Sequence, residues 1–180
     1  MVRTLLPQGS VAVVDNLLTG RESNLAEVRG QIAFHQVDIR DGERLKPLLA
    51  GVDTVFHLAA IPSVPRSIDD PLANNDVNVT GILQLLVASK RAGVRRVVYA
   101  SSSSVYGDDP TLPKVETQTP RPISPYAASK IMGEYYCRIY SQLYGLETVS
   151  MRYFNVFGPR QDPESKYAAV IPRFITAALE

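Results

Sequence analysis

Apolar and polar positions along the chain fall into two alternating patterns. Short runs rich in β-branched and aromatic residues stand at VAVVD (11–15), IAFHQVDI (32–39), DTVFHLAA (53–60), RRVVYASS (95–102) and ETVSMRYFNV (147–156). Their length and composition predict buried parallel strands. Between them, helical spacing of apolar residues appears at LAEV (25–28), at ERLKPLLAG (43–51), over 72–92 before Gly93, and from Ser124 to Tyr144. Strands alternating with helices predict an α/β fold, a Rossmann-like doubly wound parallel sheet in three layers. The Pro-rich stretch from Asp108 to Pro125 predicts a long loop, and loops of that length in compact domains usually carry function.

The helix over 124–144 has the clearest boundaries. Ser124 can cap it, Pro125 suits its first turn, and Gly145 can end it. Two stripes run along it at helical spacing. Met132, Tyr136, Ile139 and Leu143 read as core packing; Tyr126, Lys130, Gly133 and Cys137 form the second stripe.

Composition narrows the function classes. The 180 residues are 45% hydrophobic, with 19 basic against 18 acidic side chains and a net charge of +1. That balance offers no electrostatic footprint for nucleic acid or an anionic membrane. No apolar run approaches a membrane span and no signal-peptide core opens the chain, which predicts a cytoplasmic address. One cysteine excludes an internal disulfide, and two separated histidines offer no metal-ligand cluster. His57, at a strand end, reads as a core histidine.

Candidate chemistry gathers at the predicted carboxyl ends of the strands, where open parallel sheets bind ligands. Tyr126 and Lys130 are four apart and project from one helix face. The run Ser101–Ser104 ends a predicted strand and is expected to face the same crevice. A phenol has a pKa near 10, and a neighbouring cation can lower a pKa by roughly 1 to 3 units. Lys130 together with an oxidised nicotinamide therefore predicts a tyrosine base near neutrality. A serine hydroxyl can hold the substrate oxygen while that base takes its proton. Ser, Tyr and Lys together make a carbinol oxidation site.

The ordered set "DNLLTG", "VDIRD", "VFHLAA", "SVPRSIDDP", "SSSSVYGD", "SPYAASK" and "RYFNVFGPRQDP" resembles the extended short-chain dehydrogenase/reductase family. Within it the chain is most similar to the NAD-dependent epimerase/dehydratase branch, and there to the 4-epimerases of UDP-glucose and UDP-N-acetylglucosamine. The resemblance implies a catalytic trio of Ser102, Tyr126 and Lys130. It places Asp15 on the adenosine ribose, with Asn16, Thr19 and Gly20 beside it, and Asp38 and Ile39 on the adenine. Leu58, Ala59, Ala60, Asn78 and Phe154 fall on the cofactor side, with Tyr126 and Lys130. Ser63, Ser102, Ser103, Asn155, Ala169 and Val170 fall on the substrate side. NAD is the implied cofactor, since the Asp15 carboxylate repels the 2′-phosphate of NADP. A UDP-sugar is the implied substrate, and a homodimer through helices near 74–92 and 124–144 the implied assembly.

Related 4,6-dehydratases carry an Asp-Glu pair after the catalytic serine, where this chain has Ser103 and Ser104. Eliminating water needs that added acid and base, so dehydratase is the weaker expectation, as is decarboxylase, which usually keeps a glutamate at the position of Ser104. No G-x-x-G-x-x-G stands anywhere among the 11 glycines. Residues 1–150 are accordingly read as an incomplete NAD-binding domain lacking the first strand and glycine-rich loop, and 151–180 as the start of a substrate lobe. Truncation at both ends leaves an alternative expectation, an inactive fragment that only binds or dimerises. For the sheet, the resemblance implies a slot between the strands at 11–15 and 53–60, left as a gap or closed by their direct pairing.

Overall fold

The computed structural model describes residues 1–158, 161 and 170–179. Helix α1 (Val2–Leu5) leads into β1 (Val11–Asp15), and a 3-10 segment (Glu22–Gln31) into β2 (Ile32–Gln36). Then follow α2 (Gly42–Leu48), β3 (Thr54–His57), α3 (Val64–Asp69), α4 (Pro71–Asn75), a π-helical turn (Asp76–Thr80) and α5 (Gly81–Ala92). The sequence ends through β4 (Arg96–Ser102), α6 (Pro125–Tyr144), β5 (Glu147–Tyr153) and α7 (Val170–Leu179). The five strands fall where the apolar runs predict them. The LAEV segment forms 3-10 turns instead of an α-helix, with Val28 as its one buried residue.

All pairings are parallel. β1 pairs with β2, and β3, β4 and β5 form a second sheet in that order. Among the described residues, β1 and β3 are not hydrogen-bonded to each other, so of the two expected outcomes direct pairing does not occur. One core nevertheless underlies both sheets. Val37, Ile39, Leu45 and Leu49 from the β2–α2 side join Ile82, Leu86, Val97, Tyr99 and Cys137 from the α5–β4–α6 side. Helix α2 packs on α5 and α5 on α6, so a single helix layer spans the two sheets.

Strand β4 alternates strictly. Val97, Tyr99 and Ser101 are buried toward the helices, whereas Val98, Ala100 and Ser102 are half-buried on the other face. This alternation corrects one expectation: neighbouring serines on a strand point to opposite faces. Ser101 turns into the helix layer and donates to Glu134 on α6 at 2.5 Å, and only its neighbours from Ser102 onward are left to the crevice.

Helix α6 starts and stops as predicted. Ser124 accepts from the Ala127 N–H at 3.1 Å, Pro125 occupies the first turn, and Gly145 ends the helix at φ 70°. Its stripes are corrected. Tyr136 packs against the core as expected, but Met132, Ile139 and Leu143 are 44%, 42% and 68% exposed, whereas Lys130, Gly133 and Cys137 are buried. The glycine decides which stripe turns inward. A Cβ on Gly133 would sit 2.3 Å from the Tyr99 hydroxyl, so only glycine lets the helix close on β4.

Candidate active site

Strand β4 ends at Ser102, and the first turns of α6 carry Tyr126 and Lys130. Ser102 accepts from the Ser104 N–H at 3.2 Å and the Ser104 hydroxyl at 2.9 Å. The Ser102 side chain favours the ionised form of the Tyr126 phenol. Burial outweighs it, so the phenol is held above the ordinary tyrosine value. The downward shift expected from Lys130 does not prevail in the protein alone. Lys130 lies with its ammonium 5.8 Å from the Tyr126 ring centroid and 5.1 Å from that of Tyr99.

Lys130 is 3% exposed, and its Nζ donates to the Ala100 carbonyl at 2.8 Å. Among the described residues no carboxylate pairs with it. Burial therefore pulls its pKa down to about 8, because desolvation penalises the charged form. His57 sits in the core as expected, stacked on Tyr99 at 5.6 Å, and burial lowers its pKa to about 3. It is neutral at ordinary pH, and the Lys130 charge adds to the lowering.

A second cluster forms at the ends of β1 and β2. The Asp15 carboxylate accepts from the Leu17 N–H at 2.7 Å, and a Cβ on Gly20 would meet it at 2.6 Å. Gly20 thus leaves room for the carboxylate, and Thr19 stands beside it in the same turn. Asp38 accepts from the Arg40 N–H and Nε at 2.9 Å each, from Arg40 Nη2 at 2.7 Å, and from Asn16 Nδ2 at 2.8 Å. These donors hold the Asp38 carboxyl far below the usual carboxylate range, the Arg40 side chain first among them. Four donors occupy the roughly four acceptor sites of a carboxylate. An adenine amino group must displace one of them to bind there. The Ile39 side chain is buried in the core, so any contact from Ile39 to a ligand comes through its backbone.

The remaining candidates divide. Leu58 and Ala59 are exposed and Ala60 half-buried at the end of β3. Asn78 is 2% exposed; its Oδ1 accepts from the Ile61 N–H at 2.8 Å and its Nδ2 donates to the Ile61 carbonyl at 3.2 Å. It clamps the loop after β3 rather than opening to solvent. Ser63 is buried and caps α3 through the Arg66 N–H at 3.1 Å. Ser103 is half-buried in the turn after β4. Phe154, 58% exposed, stacks on Tyr106 at 6.4 Å, and Asn155 follows it on the surface. Ala169 lies outside the described residues. Val170 opens α7, and its side chain is likewise outside them.

Sequence reasoning missed an ion pair beside the site. Arg152 on β5 donates to Glu134 from Nε at 2.9 Å and Nη2 at 2.8 Å, with the two side chains 14% and 12% exposed. Arg152 also reaches the Glu116 carbonyl at 3.4 Å and lies over the Tyr106 ring at 4.9 Å, tying the Pro-rich loop to β5 and α6. The one available signal was Glu134 standing four residues beyond Lys130.

Parallel strands with flanking helices make an α/β, Rossmann-like architecture, with Ser102, Tyr126 and Lys130 near the end of β4. The whole chain, residues 1–180, matches the NAD dependent epimerase/dehydratase family, and it belongs to that family. The UDP-glucose 4-epimerase of Mycolicibacterium smegmatis is 44% identical over 185 residues, covering 99% of this chain and 58% of that protein. The UDP-N-acetylglucosamine 4-epimerase of Methanobrevibacter ruminantium, solved with UDP-N-acetylmuramic acid, superposes with a TM-score of 0.94 at 43% identity, over 99% of this chain and 57% of that one. DesIV, a dTDP-glucose 4,6-dehydratase from Streptomyces venezuelae solved with NAD, gives 0.90 at 38% identity, over 99% and 57%. The chain thus spans somewhat over half the length of these relatives.

Proposed function

We propose that this chain carries the reaction centre of an NAD-dependent nucleotide-sugar 4-epimerase acting on UDP-hexoses or UDP-N-acetylhexosamines. The observation that carries the reading is the convergence of Ser102, Tyr126 and buried Lys130 at one strand end. The donor set suits NAD at two places: Asp15, seated against Gly20, for a ribose diol, and Lys130 with the small side chains of Ala59 and Ala60 near the nicotinamide end. Bound NAD would supply the acceptor for the C4 hydride and, once reduced, the donor that returns it to the other face of the ketone. Tyr126 takes the proton of the C4 hydroxyl, and Ser102 holds the oxygen as it becomes a ketone. After the sugar turns its other face, Tyr126 returns the proton to that oxygen. Lys130 presents its ammonium to the phenol, favouring the ionised form that burial opposes.

Similarity to 4-epimerases supports this chemistry over dehydration, and so does the turn after β4. Ser104 spends its hydroxyl on Ser102, and with Ser103 it offers no acid-base pair for removing water. We also propose a homodimer, supported by the exposed stripe of Met132, Tyr135, Ile139 and Leu143 on α6, and a substrate lobe beginning at residue 151. No helix among the described residues is long and apolar enough to cross a membrane.

The test is a chimera in which residues 1–180 replace the matching segment of the Methanobrevibacter ruminantium enzyme. With NAD it is expected to interconvert UDP-glucose with UDP-galactose, or their N-acetyl forms. Release of a 4-keto-6-deoxy sugar in place of a C4 epimer overturns the reading in favour of dehydration, and a folded chimera that does neither overturns it altogether.

A further inference from the structure

We propose that Ser67, on α3, is a positioning residue for Tyr126, fixing the backbone of the proposed base from outside its own helix. Ser67 is 0% exposed. Its hydroxyl donates to the Val64 carbonyl at 2.7 Å and accepts from the Tyr126 N–H at 3.0 Å, across 59 positions of sequence.

The need for this contact follows from how a helix starts. The first N–H groups of a helix have no partner within it. In α6 Pro125 has no N–H, the Ala127 N–H goes to the Ser124 side chain and the Ala128 N–H to the Ser124 carbonyl. That leaves the Tyr126 N–H, and Ser67 satisfies it. The Tyr126 carbonyl is held as well. It accepts from the Ser129 hydroxyl at 2.7 Å, and that hydroxyl accepts from Asn78 Nδ2 at 3.2 Å. Asn78 in turn grips both backbone groups of Ile61, and Asn74 donates to the Ile61 carbonyl at 3.3 Å. Both polar groups of the Tyr126 peptide backbone are therefore referenced to the segment that follows β3. The loop proposed to line the cofactor and the residue proposed to move the proton share one buried hydrogen-bonded frame.

This inference rests on the proposed role of Tyr126, yet its test needs no turnover. The 180-residue chain, labelled at tyrosine and at backbone amides, is followed by NMR, with Tyr126→Phe identifying the phenol resonance. Ser67→Ala is expected to speed exchange of the Tyr126 amide about tenfold, the loss of one hydrogen bond, with the Ala127 amide unchanged. Ser124→Ala is expected to do the reverse. Ser67→Ala also moves the Tyr126 phenol midpoint toward the ordinary tyrosine value as the ring loosens from its buried setting, while Tyr99 stays put. Among the described residues, the charged and titratable groups shown around that ring are Lys130 and Tyr99, with the Ser102 hydroxyl; none is altered by the substitution. If Ser67→Ala does not fold, Ser67→Cys, similar in size and a weaker acceptor, is read the same way. A folded variant with unmoved Tyr126 amide and phenol overturns the proposal. An inactive chimera alongside a shifted phenol overturns the epimerase reading alone.

Discussion

The two ends of the proposed site are held in opposite ways. At β4 and α6 the polar groups are buried and bonded to one another: Lys130 to Ala100, Glu134 to Ser101 and Arg152, Tyr126 to Ser67 and Ser129. At β1 and β2 the Asp38–Arg40–Asp76 cluster lies in the surface, with side chains 27% to 50% exposed. Buried networks fix geometry because any unpaired member is costly, whereas surface networks exchange partners with water cheaply. The proposed reacting end is thus held by its own hydrogen bonds. The proposed adenosine end has to trade hydrogen bonds to accept a ligand.

Breaking the reacting end should give the largest effect. Tyr126→Phe in the chimera removes the proton acceptor, and turnover is expected to fall about 100- to 10,000-fold with NAD affinity little changed. Steady-state assays paired with NAD titration check both halves of that statement.

Next comes the ion pair. Arg152→Met leaves the largely buried Glu134 with the Ser101 hydroxyl as its remaining donor and should cost about 1–3 kcal/mol in urea denaturation. Arg95 makes surface bridges to Asp53 and Glu147, and Arg95→Met should leave the midpoint close to wild type. Equal losses from the two variants would erase the contrast between buried and surface networks.

A pH series sharpens it further. Lys130 has a folded pKa of about 8 against the free-lysine value of 10.5, so above pH 7 the unfolded chain holds more of this proton than the folded one. Stability therefore rises with pH from 7 to 9 through this group. Relative to Lys130→Met, the wild type should gain stability over that window. Asp38 acts at the other end of the scale. Its folded pKa is depressed by Arg40, so its contribution is present above the unfolded value near 3.9 and fades as pH falls toward the folded one. Asp38→Asn should flatten the acid limb of the wild-type curve. The smallest effect on folding is expected from Leu143→Lys, which leaves the melt near wild type and weakens self-association in sedimentation.

Much of this was legible from residue order. β-branched runs located the strands, and capping residues fixed both ends of α6. Four-residue spacing put Tyr126 and Lys130 on one face. What periodicity could not decide was which stripe of α6 turns inward, because Met132 and Leu143 are as apolar as core residues. The decision lay in Gly133, whose missing side chain admits Tyr99. The four serines looked equivalent until strand alternation sent Ser101 to Glu134. Ser67, Ser129 and Arg152 gave no local sign, since each acts through a partner that only the fold brings near.

The central claim is that the 180 residues hold a preassembled reacting end and only the flanks of an NAD site. Calorimetric titration of NAD into the chain and into the chimera tests it most directly. No glycine-rich turn stands among these residues to offer backbone N–H groups and a helix N-terminus to the pyrophosphate. Losing two hydrogen bonds to charged groups weakens binding on the order of a hundredfold or more, so the chain should bind at least that much more weakly than the chimera. Equal, micromolar affinity for both would contradict the account and place the phosphate site on another segment of this chain.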